Sequence, residues 1–238
     1  MTVGSIKENI NIERRVAITL ESAKNIIALG LNINLEKDYA SHLGISDKQY
    51  EEVGVKFYIS SSEVINNSKL ILKVNCPTDE EIKALKEETI LVGIFNPTKN
   101  ENKLKDISKK HINVFSLELL PRISRAQSMD VLSSQSNLAG YRAVIESIYE
   151  FEKAVPMMMT AAGTVPAAKV LVIGAGVAGL QAIATAKRLG AVVSATDVRA
   201  ASKEQVESLG GKFLTVEQEE NLETTGGYAK EASAEFKK

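Results

Sequence analysis

The segment Lys169-Val-Leu-Val-Ile-Gly174-Ala-Gly176-Val-Ala-Gly179-Leu180 constrains this chain more than any other. An apolar run, short and β-branched, passes directly into three glycines spaced G-x-G-x-x-G, and an alanine-rich helical stretch follows to Gly190. Each glycine answers a separate demand. Gly174 makes the tight turn, Gly176 lets a diphosphate approach the backbone, and Gly179 lets the helix pack on the strand. The intervening Ala175, Val177 and Ala178 belong to the same cradle, where unpaired amides and the helix dipole favour negative charge. A second strand pattern, Ala191 to Asp197, ends in a carboxylate 18 residues after Gly179. An acidic side chain there accepts from ribose hydroxyls and repels a 2′-phosphate, so NAD(H) is expected rather than NADP(H). Arg199, two residues on and beyond Val198, weakens that preference because an arginine can pair with such a phosphate.

After Asp197 one further strand pattern is evident, Lys212 to Val216. A complete doubly wound sheet uses about six strands, so the second lobe reads as truncated, the first half of a dinucleotide fold. Upstream, apolar runs at Lys69–Val74, Thr89–Phe95 and Ile112–Leu117, with weaker ones near Val3, Asn32 and Lys56, alternate with helical patterns at 20–29 and 80–86. The second of these opens with a capping box, Thr78 to Glu81. Strands alternating with helices imply a parallel sheet covered on both faces. The expected fold class is therefore α/β, with two Rossmann-like lobes carrying parallel sheets: an N-terminal lobe over 1–140 and an incomplete nucleotide-binding lobe over 141–238.

Charge narrows the partners. The 238 residues carry a net charge of −1, with basic and acidic side chains interspersed, so no nucleic-acid partner is expected. The lone cysteine, Cys76, permits no internal disulfide and fits a reducing compartment. No stretch approaches the ~20 apolar residues of a membrane span, and the first residues lack a basic flank with an apolar core. A soluble chain without a metal site is expected.

Residues 121–137, Pro-Arg-Ile-Ser-Arg-Ala-Gln-Ser-Met-Asp-Val-Leu-Ser-Ser-Gln-Ser-Asn, are polar and irregular in period and read as a loop built to hold something. A helix is expected after them, with Leu138, Tyr141, Val144, Ile145, Ile148 and Phe151 on one stripe.

The stretch 121–140, the glycine fingerprint, Ala195-Thr-Asp-Val-Arg199, Gly226-Gly-Tyr-Ala-Lys230 and Glu13-Arg-Arg-Val-Ala17 together resemble the NAD(H)-binding alpha subunits of the proton-translocating NAD(P) transhydrogenases, within the alanine dehydrogenase/transhydrogenase family. That resemblance implies that the loop presents Arg122, Gln127, Asp130 and Ser133 to the nicotinamide and its ribose, with Val131 and Leu132 lining the same cofactor site. The chemistry is sensible: Gln127 both donates and accepts, Asp130 accepts from hydroxyls, and Arg122 bonds or neutralises a neighbouring cofactor. It also implies a mobile lid in which Gly227 and Tyr228 close over nucleotide, although Ala232 stands where a methionine is typical. Direct hydride transfer to NADP(H) on a partner domain, coupled to proton movement by membrane-embedded subunits, is the implied activity. A homodimer, cytoplasmic and peripheral to the inner membrane, is the implied setting.

Two other readings compete. Alanine dehydrogenase-type enzymes grip a 2-oxo acid with an arginine and a lysine, which Arg15 and Lys73 match. They also need a histidine near Ile94–Pro97 to handle the carbonyl proton, and none is there. His42 and His111 read as surface residues, and Arg15 and Lys73 as structural ion-pair or packing residues. An inert, truncated nucleotide-binding fragment is the third reading, and a split subunit completed by a second polypeptide would rescue it.

Overall fold

In the computed structural model, residues 1–121 and 123–215 are described. Arg122 and the segment 216–238, which holds Gly227 and Tyr228, lie outside them. The chain divides into two compact units, Met1–Met129 and from Asp130 onward.

Unit 1 contains β1 (Thr2–Ser5), α1 (Leu20–Ala28), β2 (Asn32–Glu36), α2 (Asp47–Glu51), β3 (Lys56–Tyr58), α3 (Ser61–Asn66), β4 (Leu70–Leu72), α4 (Asp79–Ala84), β5 (Ile90–Gly93), α5 (Glu101–Ser108) and β6 (Asn113–Ser116). All six strands run parallel in the order β3-β2-β1-β4-β5-β6. That is the full doubly wound order, reversing between β1 and β4. Ile33, Leu35, Ile71 and Leu91 are all but inaccessible in the central strands, and each such side chain contributes roughly 1.5–3 kcal/mol by leaving water. The capping box at Thr78 forms as expected, the Glu81 amide donating to Thr78 Oγ1 and the Thr78 amide to Glu81 Oε2. Matching boxes open α1 at Thr19 and α3 at Ser60.

Unit 2 contains α6 (Val131–Phe151), a two-stranded antiparallel hairpin of β7 (Met158–Thr160) and β8 (Gly163–Val165), then β9 (Lys169–Ile173), α7 (Val177–Arg188), β10 (Val192–Thr196), α8 (Ser202–Ser208) and β11 (Lys212–Phe213). Its main sheet is parallel, ordered β11-β10-β9. Ala175, Ile183, Ala186, Val193, Ala195 and Val206 are wholly buried there, with Val144 of α6 closing the cluster.

One expectation fails in register. Residues 131–137 are not loop but the first two turns of α6, and 124–129 form a 3₁₀ turn. Asp130 explains the early start: it is the N-cap, its Oδ1 accepting from the Ser133 amide at 2.9 Å. That bond satisfies a helix-end donor and lets a serine-rich stretch enter the helix. The expected stripe is only partly covered, with Val144 buried while Leu138 and Tyr141 stay exposed.

Candidate functional site

The glycine loop of unit 2 has the geometry its spacing demands. Gly174 sits at φ +93, a backbone conformation that side chains disfavour. Its amide donates to the Thr196 carbonyl at 2.8 Å, extending the β9–β10 ladder into the turn. A Cβ on Gly179 would collide with the Gly174 carbonyl, so the glycine lets α7 seat directly on the strand end. A Cβ on Gly176, by contrast, would meet nothing within 4 Å, so the loop is open where a ligand backbone would approach. Gly176 is also the N-cap of α7 and offers no side chain to its first amides. Val177, Ala178 and Gly179 therefore present main-chain donors at the positive end of a 12-residue helix.

Asp197 lies beside this loop with its side chain only 6% exposed. Its Oδ2 accepts from the Ala175 amide at 2.6 Å, and its Oδ1 accepts from the Arg199 amide at 2.8 Å and from Arg199 Nε at 2.9 Å. Burial alone would push this carboxyl up, but the Arg199 and Ala175 hydrogen bonds outweigh it and hold Asp197 below the usual aspartate value. The sequence placed Asp197 as a ribose acceptor. It did not reveal that the carboxylate also ties the glycine loop to Arg199. A ribose hydroxyl binding there has to share or displace the arginine. Val198 lies between the two, half-buried.

Gly140, near the middle of α6, is a positioning residue that sequence reasoning missed. A Cβ there would collide with the Ala178 carbonyl, so α6 crosses α7 at its first turn. Farther along, Ile145 and Ile148 line one cleft with Arg188, Leu189 and Gly190, at the other end of α7. The two helices thus run in the same sense, and the turns of α6 before Gly140 reach about 14 Å beyond α7's N-terminus, at about 1.5 Å per residue. Asp130, Val131, Leu132 and Ser133 occupy that overhang. Ser133 Oγ donates to Asp130 Oδ2 at 2.6 Å, locking the pair. The available signal was a glycine isolated inside an apolar helical pattern, which usually has a packing reason. Gln127 lies exposed in the 3₁₀ turn of unit 1. Arg122, Gly227 and Tyr228 lie outside the described residues.

Unit 1 has its own crevice at the carboxyl ends of β1 and β4, and it is filled. Lys73, 5% exposed, donates to Glu81 at 2.8 and 3.0 Å and lies 3.8 Å from Glu8. Glu8 also accepts from the Val74 amide at 2.8 Å, and burial pushes its carboxyl up against the lowering pull of Lys73. Arg15 Nε donates to Glu13 Oε1 at 2.8 Å, and Asn75 Nδ2 to Glu13 Oε2 at 3.3 Å. Both cations that would hold a small carboxylate are thus committed to carboxylates of this chain. His42 Nε2 pairs with the Arg14 carbonyl at an exposed position.

The residues of unit 2 fit a dinucleotide: an open backbone at Gly176, main-chain donors at α7, and a carboxylate at the end of β10. Among the described residues no group of metal-ligating side chains is present, and no helix is long and apolar enough to cross a membrane.

Comparison with known proteins agrees with this geometry. The family described as Alanine dehydrogenase/PNT, N-terminal domain, matches residues 4–139, and Alanine dehydrogenase/PNT, C-terminal domain, matches 143–234. Two bacteria carry the alpha subunit of NAD(P) transhydrogenase as a split polypeptide whose first piece is similar to this chain. The piece from Rickettsia prowazekii is 49% identical over all of this chain and 63% of its own length; that from Rhodospirillum rubrum is 50% identical over all of this chain and 64% of its own. The chain therefore spans less than two thirds of these relatives. The crystal structure of transhydrogenase from Sinorhizobium meliloti superposes with a TM-score of 0.86 at 50% identity, covering 90% of this chain and 64% of that one. An L-alanine dehydrogenase, at 21% identity and a TM-score of 0.77, shares the fold. With matches over more than half of its length and a nucleotide-type glycine loop in the second unit, the chain belongs to the alanine dehydrogenase/PNT family.

Proposed function

We propose that this chain is the NAD(H)-binding component of a proton-translocating NAD(P) transhydrogenase. The observation that carries this is the glycine loop of unit 2, open at Gly176 and flanked by the buried Asp197 carboxylate, in a chain half identical to transhydrogenase alpha subunits. NAD(H), when bound, supplies the chemistry as a hydride carrier. The amides of Val177, Ala178 and Gly179 hold the diphosphate, with Ala175 beside them. Asp197 accepts from the adenosine ribose hydroxyls, and Arg199 turns outward from its carboxylate as they bind. The first turn of α6, with Asp130, Val131, Leu132 and Ser133, orients the nicotinamide end together with Arg122 and Gln127, and Gly227 and Tyr228 close over it. These groups position rings and exclude water; no general base is needed.

The partners in this reading are an NADP(H)-binding domain and membrane-embedded subunits that couple exchange to proton movement. The working form is a homodimer held at the cytoplasmic side of the inner membrane. The lobes act as an N-terminal domain near 1–140 and a nucleotide domain near 141–238. The filled crevice of unit 1 argues against the alanine dehydrogenase-type alternative, because Lys73 and Arg15 already hold carboxylates. The test is isotopic. NADH deuterated at the transferred position is mixed with this chain, a transhydrogenase NADP(H)-binding component and NADP⁺. Deuterium in NADPH, with none lost to water, is expected. Label washed out into solvent, or NADH formed from L-alanine and NAD⁺ by the chain, contradicts the reading.

A further inference from the structure

In unit 1, the strand β1 has neighbours on both sides, β2 on one and β4 on the other. In unit 2, β9 holds the equivalent place in the order, and among the described residues only β10 pairs with it. The ladder to β10 uses alternate residues of the chain: the Ala168 carbonyl accepts from Val192, and the Gly174 amide donates to Thr196. The N–H and C=O groups of Lys169, Leu171 and Ile173 therefore face the opposite edge. Leu171 is 57% and Ile173 82% exposed. An apolar groove of about 430 Å³ runs along this strand beneath α6, walled by Ala143, Ser147 and Phe151. Natural sheets protect such edges with proline, charge, a bulge or a covering element, and the stretch Val170–Ile173 carries neither proline nor charge.

We propose that this edge is the docking surface for one parallel β-strand, apolar on both faces, supplied by a polypeptide that carries the portion of the relatives' length which this chain does not span. Three observations select that occupant. Unit 1 displays the finished arrangement, with Leu70-Ile71-Leu72 of β4 lying parallel to β1 in the register Val3 to Leu70 and Ser5 to Leu72. The relatives are longer by more than a third of their own length, ample for further strand–helix units of about 30 residues. Residues 216–238 contain no three consecutive apolar side chains, whereas a strand buried on both faces reads as a near-continuous apolar run. This chain's own tail therefore does not supply it.

The test is to co-express the full chain with the segment of the Rhodospirillum rubrum relative that it does not span, tagged on the segment, and to measure association without nucleotide. A one-to-one complex is expected. Leu171→Pro removes only an outward-facing N–H, which an edge strand tolerates, and leaves the β9–β10 ladder whole. Leu171→Lys puts a charge where the new strand must pack. Each is expected to weaken association by about tenfold or more, while the free chain keeps its circular dichroism and melting temperature. Three results overturn the proposal: no complex with the unaltered chain when the segment is itself folded, a complex indifferent to both substitutions, or a dimer of the chain alone that Leu171→Pro dissolves, which would assign the edge to a second copy. Because no nucleotide is present, these results stand apart from the success or failure of the hydride-transfer reading.

Discussion

Where the strand order of unit 1 reverses, the carboxyl ends of β1 and β4 enclose Lys73 with Glu8 and Glu81; at the carboxyl end of β9 in unit 2 stand Gly174, Gly176 and Gly179, with Asp197 across the turn. Both sheets follow the doubly wound order as far as their described strands go, so strand order alone does not make a nucleotide site. The turn after the first strand decides it. In unit 2, β9 passes through three glycines straight into α7, which brings main-chain donors to the sheet's end. In unit 1, the chain wanders from Ile6 to Thr19 before α1 begins, so no helix N-terminus follows β1 directly into the crevice. Side-chain charges fill it instead, and they neutralise one another.

The sharpest way to break this comparison is Lys73→Ala, which should destabilise unit 1 by about 3–5 kcal/mol, because it leaves Glu8 and Glu81 without their buried cation. Lys73→Met paired with Glu8→Gln and Glu81→Gln should recover most of that loss in a denaturant titration. If Lys73→Ala instead left stability intact and created a site for small carboxylates, the crevice of unit 1 would be functional and not merely filled. Next in size is Gly179→Ala, whose new methyl collides with the Gly174 carbonyl. About 3 kcal/mol of overpacking is expected, together with loss of NADH binding by fluorescence titration. Asp197→Ala should cost about 1–2 kcal/mol of NADH affinity through lost charge-assisted hydrogen bonds. It should also narrow the preference for NADH over NADPH, since Arg199 is released from its carboxylate. An unchanged ratio of the two affinities would argue that Arg199 does not face the adenosine ribose.

The smallest effect is pH dependence, and the units should differ in sign. Asp197 is held below the ordinary aspartate value of about 3.9. Its contribution is therefore complete above that value and is lost as pH falls through the lower folded one. Glu8 is raised above the ordinary glutamate value of about 4.3, so the folded chain binds its proton more tightly and ionisation weakens unit 1 as pH rises through the raised value. Glu8→Gln should then stabilise most at neutral pH, with the gain shrinking below about pH 4. A gain that grew on acidification would reverse the assignment.

Much of this was legible in the sequence because it is local. The glycine spacing, the capping box at Thr78 and the short apolar runs each depend on residues within one or two turns of each other. What was not legible is long-range. Glu8 and Lys73 are far apart in the sequence yet lie 3.8 Å apart in the fold, and no periodicity announces that their charges cancel. The close approach of Gly140 to Ala178 belongs to a helix crossing, which a single helical pattern does not specify. The start of α6 was missed for a different reason. Serines and asparagine suit loops by their own hydrogen bonding, and here Asp130 turns that same chemistry into a helix cap.

The most direct measurement is a crystal structure of the chain with NADH bound. The expected density places the diphosphate on the amides of Val177 and Ala178 and the adenosine ribose against Asp197, with the crevice around Lys73 unchanged. Nucleotide seated at Lys73, or an adenosine end remote from Asp197, would contradict the division of labour between the two units.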